Sequence, residues 1–95
     1  MQGNTLTEFI NDLLTMGGPE KEFLFHGKTF FLESEYDEEK DMIKMYLFEI
    51  TNPNTPTISF WGQNFRECVD QFEQAPIFDG KTIYEIESEI TVLYG

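Results

Sequence analysis

The sequence predicts an α+β domain: a four-stranded, mainly antiparallel sheet with one N-terminal helix and two C-terminal helices, in the order α-β-β-β-β-α-α. Three observations carry this. A capping signal followed by helical periodicity opens the chain. Four short β-like segments then run from Phe23 to Phe60 around one dense acidic connection, Glu33 to Asp41. Two further capping signals follow the last of those segments.

Residues 1–4 read as a loose end. Thr5 and Glu8 make a T-x-x-E capping box, and Leu6, Phe9, Ile10, Leu13 and Leu14 then recur on one helical face. Gly17-Gly18-Pro19 stops that helix, glycine taking the left-handed cap and proline unable to continue. Phe23 to His26, a turn at Gly27-Lys28, and Thr29 to Leu32 read as a tight hairpin whose second strand runs on through Glu33, Ser34, Glu35 and Tyr36. Met42 to Ile50 forms a third strand and Thr57 to Trp61 a fourth. Asn52-Pro53-Asn54-Thr55-Pro56 between them is a stiff connection.

Asn64 with Glu67 opens a second helix, with Phe65, Cys68, Val69 and Phe72 on one face and Pro76 beyond its end. Asp79-Gly80-Lys81 is a turn. Thr82 with Glu85, followed by Ile83, Ile86 and Ile90, predicts a short third helix. Val92-Leu93-Tyr94 fits either an edge strand or a packed tail. Phe25-His-Gly-Lys-Thr-Phe-Phe and Phe78-Asp-Gly-Lys-Thr-Ile-Tyr share a pattern. With two copies and different periodicities after them, the echo reads as coincidence rather than a repeat.

Ninety-five residues suit one domain spanning 1–95, and ten Phe, four Tyr and one Trp give a small core enough apolar area to fold without staples. Eighteen acidic residues against six basic ones leave a formal charge of −12. A field of that sign repels nucleic acid and anionic membranes and favours a basic protein partner. The single cysteine forbids an intramolecular disulfide and a cysteine-cluster metal site. With no basic-then-apolar leader pattern and no apolar run of membrane-spanning length, a soluble, cytoplasmic protein is expected.

Several chemical signatures fail on inspection. Each Gly-Lys-Thr triplet lacks the glycine five positions earlier that a phosphate-cradling loop needs; Glu22 and Ala75 stand there. His26, the sole histidine, sits beside a turn glycine with no nucleophile or carboxylate assigned to it by the sequence. Cys68 lies on an apolar helix face and reads as a buried, inert thiol. The acidic run lacks the glycine and ligand spacing of a calcium loop. No catalytic residue, metal site or cofactor is therefore expected.

What remains is surface. The carboxylates Glu33, Glu35, Asp37, Glu38, Glu39 and Asp41, six within nine residues, are the expected binding site for a basic protein. The third strand is apolar on both faces, with Tyr46, Phe48 and Ile50 on one and Ile43, Met45 and Leu47 on the other. If the helices cover only one face, an aromatic-aliphatic patch is left on the other, and Met45, Leu47 and Trp61 form the alternative interface. The expected function is a non-enzymatic acidic interaction protein: an inhibitor, a nucleic-acid mimic or a toxin-neutralising protein. A structural subunit or homodimer using the apolar sheet face is the alternative.

Overall fold

A computed structural model describes residues 1–15, 20–52 and 54–94. Five antiparallel strands form one sheet: β1 (Glu20–Phe25), β2 (Lys28–Asp37), β3 (Met42–Glu49), β4 (Ile58–Gly62) and β5 (Ile90–Tyr94), in spatial order β4-β3-β2-β1-β5. Helix α1 (Leu6–Leu14) precedes the sheet, α2 (Phe65–Gln74) follows β4, and a 3₁₀ turn at Glu87–Glu89 leads into β5.

The capping box of α1 forms as the sequence implies; at α2 only the Asn64 half forms, and Glu67 Oε1 accepts instead from the Gln63 N–H at 2.7 Å. Thr5 Oγ1 accepts from the Glu8 backbone N–H at 3.1 Å while Glu8 Oε1 accepts from the Thr5 N–H at 3.1 Å. Asn64 Oδ1 accepts from the Glu67 N–H at 2.9 Å. The proposed stop at Gly17-Gly18-Pro19 lies outside the described residues, as does Pro53. Helix α1 ends at Leu14 with Thr15 as its C-cap.

Two corrections concern the C-terminal third. Among the described residues the sheet has five strands, not four, and one α-helix, not two, follows β4, with the fifth strand after it. Thr82 and Glu85 do meet, the Thr82 N–H donating to Glu85 Oε1 at 3.0 Å. The backbone then closes i→i+3 bonds, Glu85 N–H to Thr82 O at 3.1 Å and Glu89 N–H to Ile86 O at 2.9 Å, instead of winding into an α-helix. A three-residue spacing buries Ile83 and Ile86 in successive tight turns as well as on a helix. The chain then has to reach the free edge of β1, where Ile90 pairs with Phe25 and Val92 with Phe23. β-Branched residues at 90–92 suit that extended path.

The first hairpin turn is His26-Gly27, one residue earlier than expected, because Phe25 pairs with Lys28. His26 (φ 49°) and Gly27 (φ 76°) are both left-handed, the signature of a type I′ turn, whose twist matches the strands it joins. The sequence echo has a structural counterpart. Asp79 (φ 55°) and Gly80 (φ 82°) repeat those signs, and Phe78 and Lys81 exchange both backbone hydrogen bonds at 3.0 Å. The turns adjoin: the Phe25 and Phe78 rings meet edge-on at 5.4 Å, and His26 Nδ1 lies 3.4 Å from Asp79 Oδ2.

Strand alternation sorts the sheet into two unlike faces. Lys21, Phe23, Phe25, Phe30, Leu32, Ile43, Met45, Leu47, Ile58, Phe60, Ile90 and Val92 point towards α1, α2 and the 78–86 segment. Phe9 meets Phe23 edge-on at 5.8 Å, and Phe72 meets Phe60 and Phe78 at 6.0 and 6.3 Å. Lys21 enters this core almost fully buried (1% exposed); its ammonium donates to Asp12 Oδ2 at 2.7 Å and Asn4 Oδ1 at 3.3 Å. Both helices therefore lie on one side of the sheet.

Candidate functional site: the uncovered sheet face

On the other face the register sets side chains in transverse rows. Glu35, Lys44 and Trp61 make one row, Glu33, Tyr46 and Ser59 the next, and Glu22, Phe31 and Phe48 the third. The strands divide the chemistry. β1 and β2 bring Glu20, Glu22, Glu33, Glu35 and Asp37 to this face, while β3 and β4 bring Tyr46, Phe48 and Trp61, with Phe31 of β2 continuing the aromatic side.

The aromatic half is a stacked series. Phe31 and Phe48 lie 5.7 Å apart at 20° between planes, and Phe48 and Tyr46 lie 6.0 Å apart at 19°. Each ring is half-buried by its neighbours and open above. Two lysines cover the far end: Lys40 Nζ stands 4.0 Å from the Trp61 ring centroid, and Lys44 Nζ lies 5.7 Å from Trp61 and 5.2 Å from Tyr46. The Tyr46 hydroxyl donates to Glu33 Oε2 at 2.8 Å. That bond, with lesser contributions from burial and the Glu33 and Glu35 charges, pushes the Tyr46 pKa up to about 12.

The six carboxylates of the acidic run divide between strand and turn. Glu33, Glu35 and Asp37 lie on β2, facing the same way as the aromatic rings; Glu38, Glu39 and Asp41 belong to the connection to β3. Asp37 Oδ1 accepts from the Lys40 N–H at 3.0 Å and so caps its own turn. Asp41 takes a left-handed φ of 51° and accepts from the Tyr36 hydroxyl. That hydrogen bond is the main reason the Tyr36 pKa is raised. Glu35, Glu38 and Glu39 are exposed.

The alternative interface does not survive as a unit. Met45 and Leu47 are 0% and 2% exposed, packed beneath the helices, because odd positions of β3 face the core. Trp61 alone of the three lies on the open face. Their places on the uncovered side are taken by Tyr46 and Phe48, one residue along, with Phe31. Glu20 and Glu22 were not singled out by the sequence; strand alternation from Phe23 and Phe25 is the signal that finds them.

Elsewhere, Cys68 is fully buried on the inner face of α2, and burial pushes its thiol pKa up. His26 contacts Asp79 and Glu89 at the exposed turn pair. A cavity of about 430 Å³ lies between α1 and the 84–87 segment, lined by Thr5, Leu6, Ile10, Asn11, Tyr84 and Glu87 among others. Among the described residues no group of three His, Cys, Asp or Glu side chains is placed to hold a metal ion, and no helix is long and apolar enough to cross a membrane. No protein family matches the chain, and neither a curated protein nor a solved structure matches it.

Proposed function

We propose that this chain is a non-enzymatic interaction protein that docks a basic protein partner on its uncovered sheet face. The observation that carries the reading is the division of that face: carboxylates of β1 and β2 run beside the aromatic rings of β3 and β4. Carboxylates steer a cationic partner and set its orientation, while half-buried rings supply apolar area once it arrives. A net charge of −12 extends the attraction beyond the contact itself. An inhibitor or toxin-neutralising protein that occupies a nucleic-acid-binding surface is the type of activity this supports.

A second copy of the chain is a poor occupant. A two-fold interface through this face would set Glu20, Glu22, Glu33, Glu35 and Asp37 of each protomer against a surface equally rich in carboxylate. An enzyme reading lacks a constellation: Cys68 is buried on the inner face of α2 while His26 lies at the exposed turn pair.

The test compares two variants with equal loss of charge, using a short peptide rich in lysine and arginine as the probe. Glu22→Gln, Glu33→Gln, Glu35→Gln and Asp37→Asn together remove four of the five carboxylates that β1 and β2 bring to the open face. Asp70→Asn, Glu73→Gln, Glu85→Gln and Glu87→Gln neutralise the helical side. The first set is expected to abolish most binding at low salt and to flatten its salt dependence, the second to leave most of both. Equal losses in the two variants would show a diffuse charge effect and overturn the proposal.

A further inference from the structure

Trp61 is the only tryptophan, and the structure already seats cations on it. We infer that the Trp61 ring is an arginine seat, which a partner's guanidinium occupies by displacing Lys40. This rests on the docking of a basic partner proposed above and names the side chain that is read there.

The position is a built one. Trp61 lies on edge strand β4, and its backbone carbonyl accepts from Gln71 Nε2 of α2 at 2.6 Å. The next residue, Gly62, is clamped under the same helix: a Cβ added there would stand 2.7 Å from Glu67 Cβ. The strand beneath the ring is thus held from the helical side while the ring faces outward. Lys40, in contrast, reaches Trp61 from the exposed turn between β2 and β3.

Arginine suits this seat better than lysine does. A guanidinium is planar, more weakly hydrated than an ammonium, and stacks on an indole while its N–H groups stay free to donate sideways. The row through Trp61 supplies the acceptor: Glu35 lies two strands away in the same register line, exposed, with Lys44 between them. An arginine stacked on Trp61 can turn its fork along the row that holds Glu35, a carboxylate acceptor whose planar pairing favours arginine over lysine. Lys40 holds the ring in the free protein and has only the ammonium's point charge to keep it there.

The experiment uses the full chain and two peptides of equal length and charge, one carrying arginine and the other lysine, each dye-labelled and read by anisotropy. The arginine peptide should bind several-fold tighter and shift the emission of Trp61, which reports on this site alone. Lys40→Gln should tighten arginine-peptide binding by about two- to five-fold, the worth of one exposed cation–π contact. Lys40→Arg, which keeps the charge, should weaken it. In a Trp61→Leu background both effects should vanish, and Trp61→Phe should retain a reduced preference. Equal binding of the two peptides, or a Lys40→Gln gain that persists without Trp61, overturns the inference. If neutralising the open-face carboxylates leaves binding intact, the docking proposal fails. If that variant loses binding but the wild type shows no arginine preference, the seat alone fails.

Discussion

Tyr46 and Glu33 face each other directly across β3 and β2, and the phenol donates to the carboxylate at 2.8 Å. This bond joins the aromatic half of the open face to its acidic half. It also makes Tyr46 a reporter, because ionising the phenol removes the donor and places two negative charges side by side.

The consequence is a pH window. The Tyr46 pKa rises from 10.0 to about 12 on folding, chiefly through the Glu33 bond. A raised folded-state pKa contributes stability that is fully present below pH 10.0 and is lost as pH rises towards about 12. Tyr46 is only half-buried, so solvent screens the effect to a small size and its sign is the prediction. The difference in urea midpoint between wild type and Tyr46→Phe should hold steady below that window and shrink across it. A difference that stays constant through the window would show that the hydrogen bond contributes nothing to folding.

The start of α2 packs tightly against Gly62. A Cβ there would meet Glu67 Cβ at 2.7 Å and the Cys68 backbone nitrogen at 3.2 Å. Gly62→Ala should therefore destabilise by roughly 1–3 kcal/mol, the usual cost of overpacking where backbone must shift. Chemical denaturation checks this, and an unchanged midpoint would mean that α2 rides loosely on β4.

The paired turns make a different prediction. At Gly27 and Gly80 an added Cβ meets nothing within 4 Å, but φ is 76° and 82°. Alanine at either position should cost about 1–2 kcal/mol through the left-handed backbone alone. The two costs should be similar because the turns share a conformation. A large loss at one and none at the other would show that only one turn holds that geometry in solution.

Cys68 is buried on the inner face of α2, and burial raises its pKa, so the reactive thiolate is scarce at neutral pH. Native protein should label slowly with a thiol reagent and rapidly once unfolded. Cys68→Ala should cost about 1 kcal/mol, since only a small apolar volume is lost. Fast labelling of the native chain would place the thiol at a site that opens.

The parts of the fold written in local chemistry were legible from the sequence. Thr5/Glu8 and Asn64/Glu67 announce their helices because a cap needs only four consecutive residues to be recognised. The segment from Ile83 to Ile90 misled because the three-residue step from Ile83 to Ile86 serves tight turns as well as a helix. What decided it was the unpaired edge of β1, invisible in the local sequence. The open face was legible only in part for the same reason. Alternation in β3 separates Tyr46 and Phe48 from Met45 and Leu47, but which pair is covered depends on where α1 and α2 pack. The acidic run showed its charge but not its geometry, which pairing with β1 and β3 supplies by turning Glu33, Glu35 and Asp37 towards the rings.

The surface that a basic ligand touches is directly measurable. Titrating isotopically labelled protein with an arginine-rich peptide and following backbone and aromatic resonances would map that surface. The shifts should gather on Phe31, Glu33, Glu35, Tyr46, Phe48 and Trp61, with the indole signal of Trp61 among the largest. Shifts gathered instead on α1, α2 or the Tyr84–Glu87 cavity, with the rings of β3 and β4 unmoved, would contradict the proposed docking.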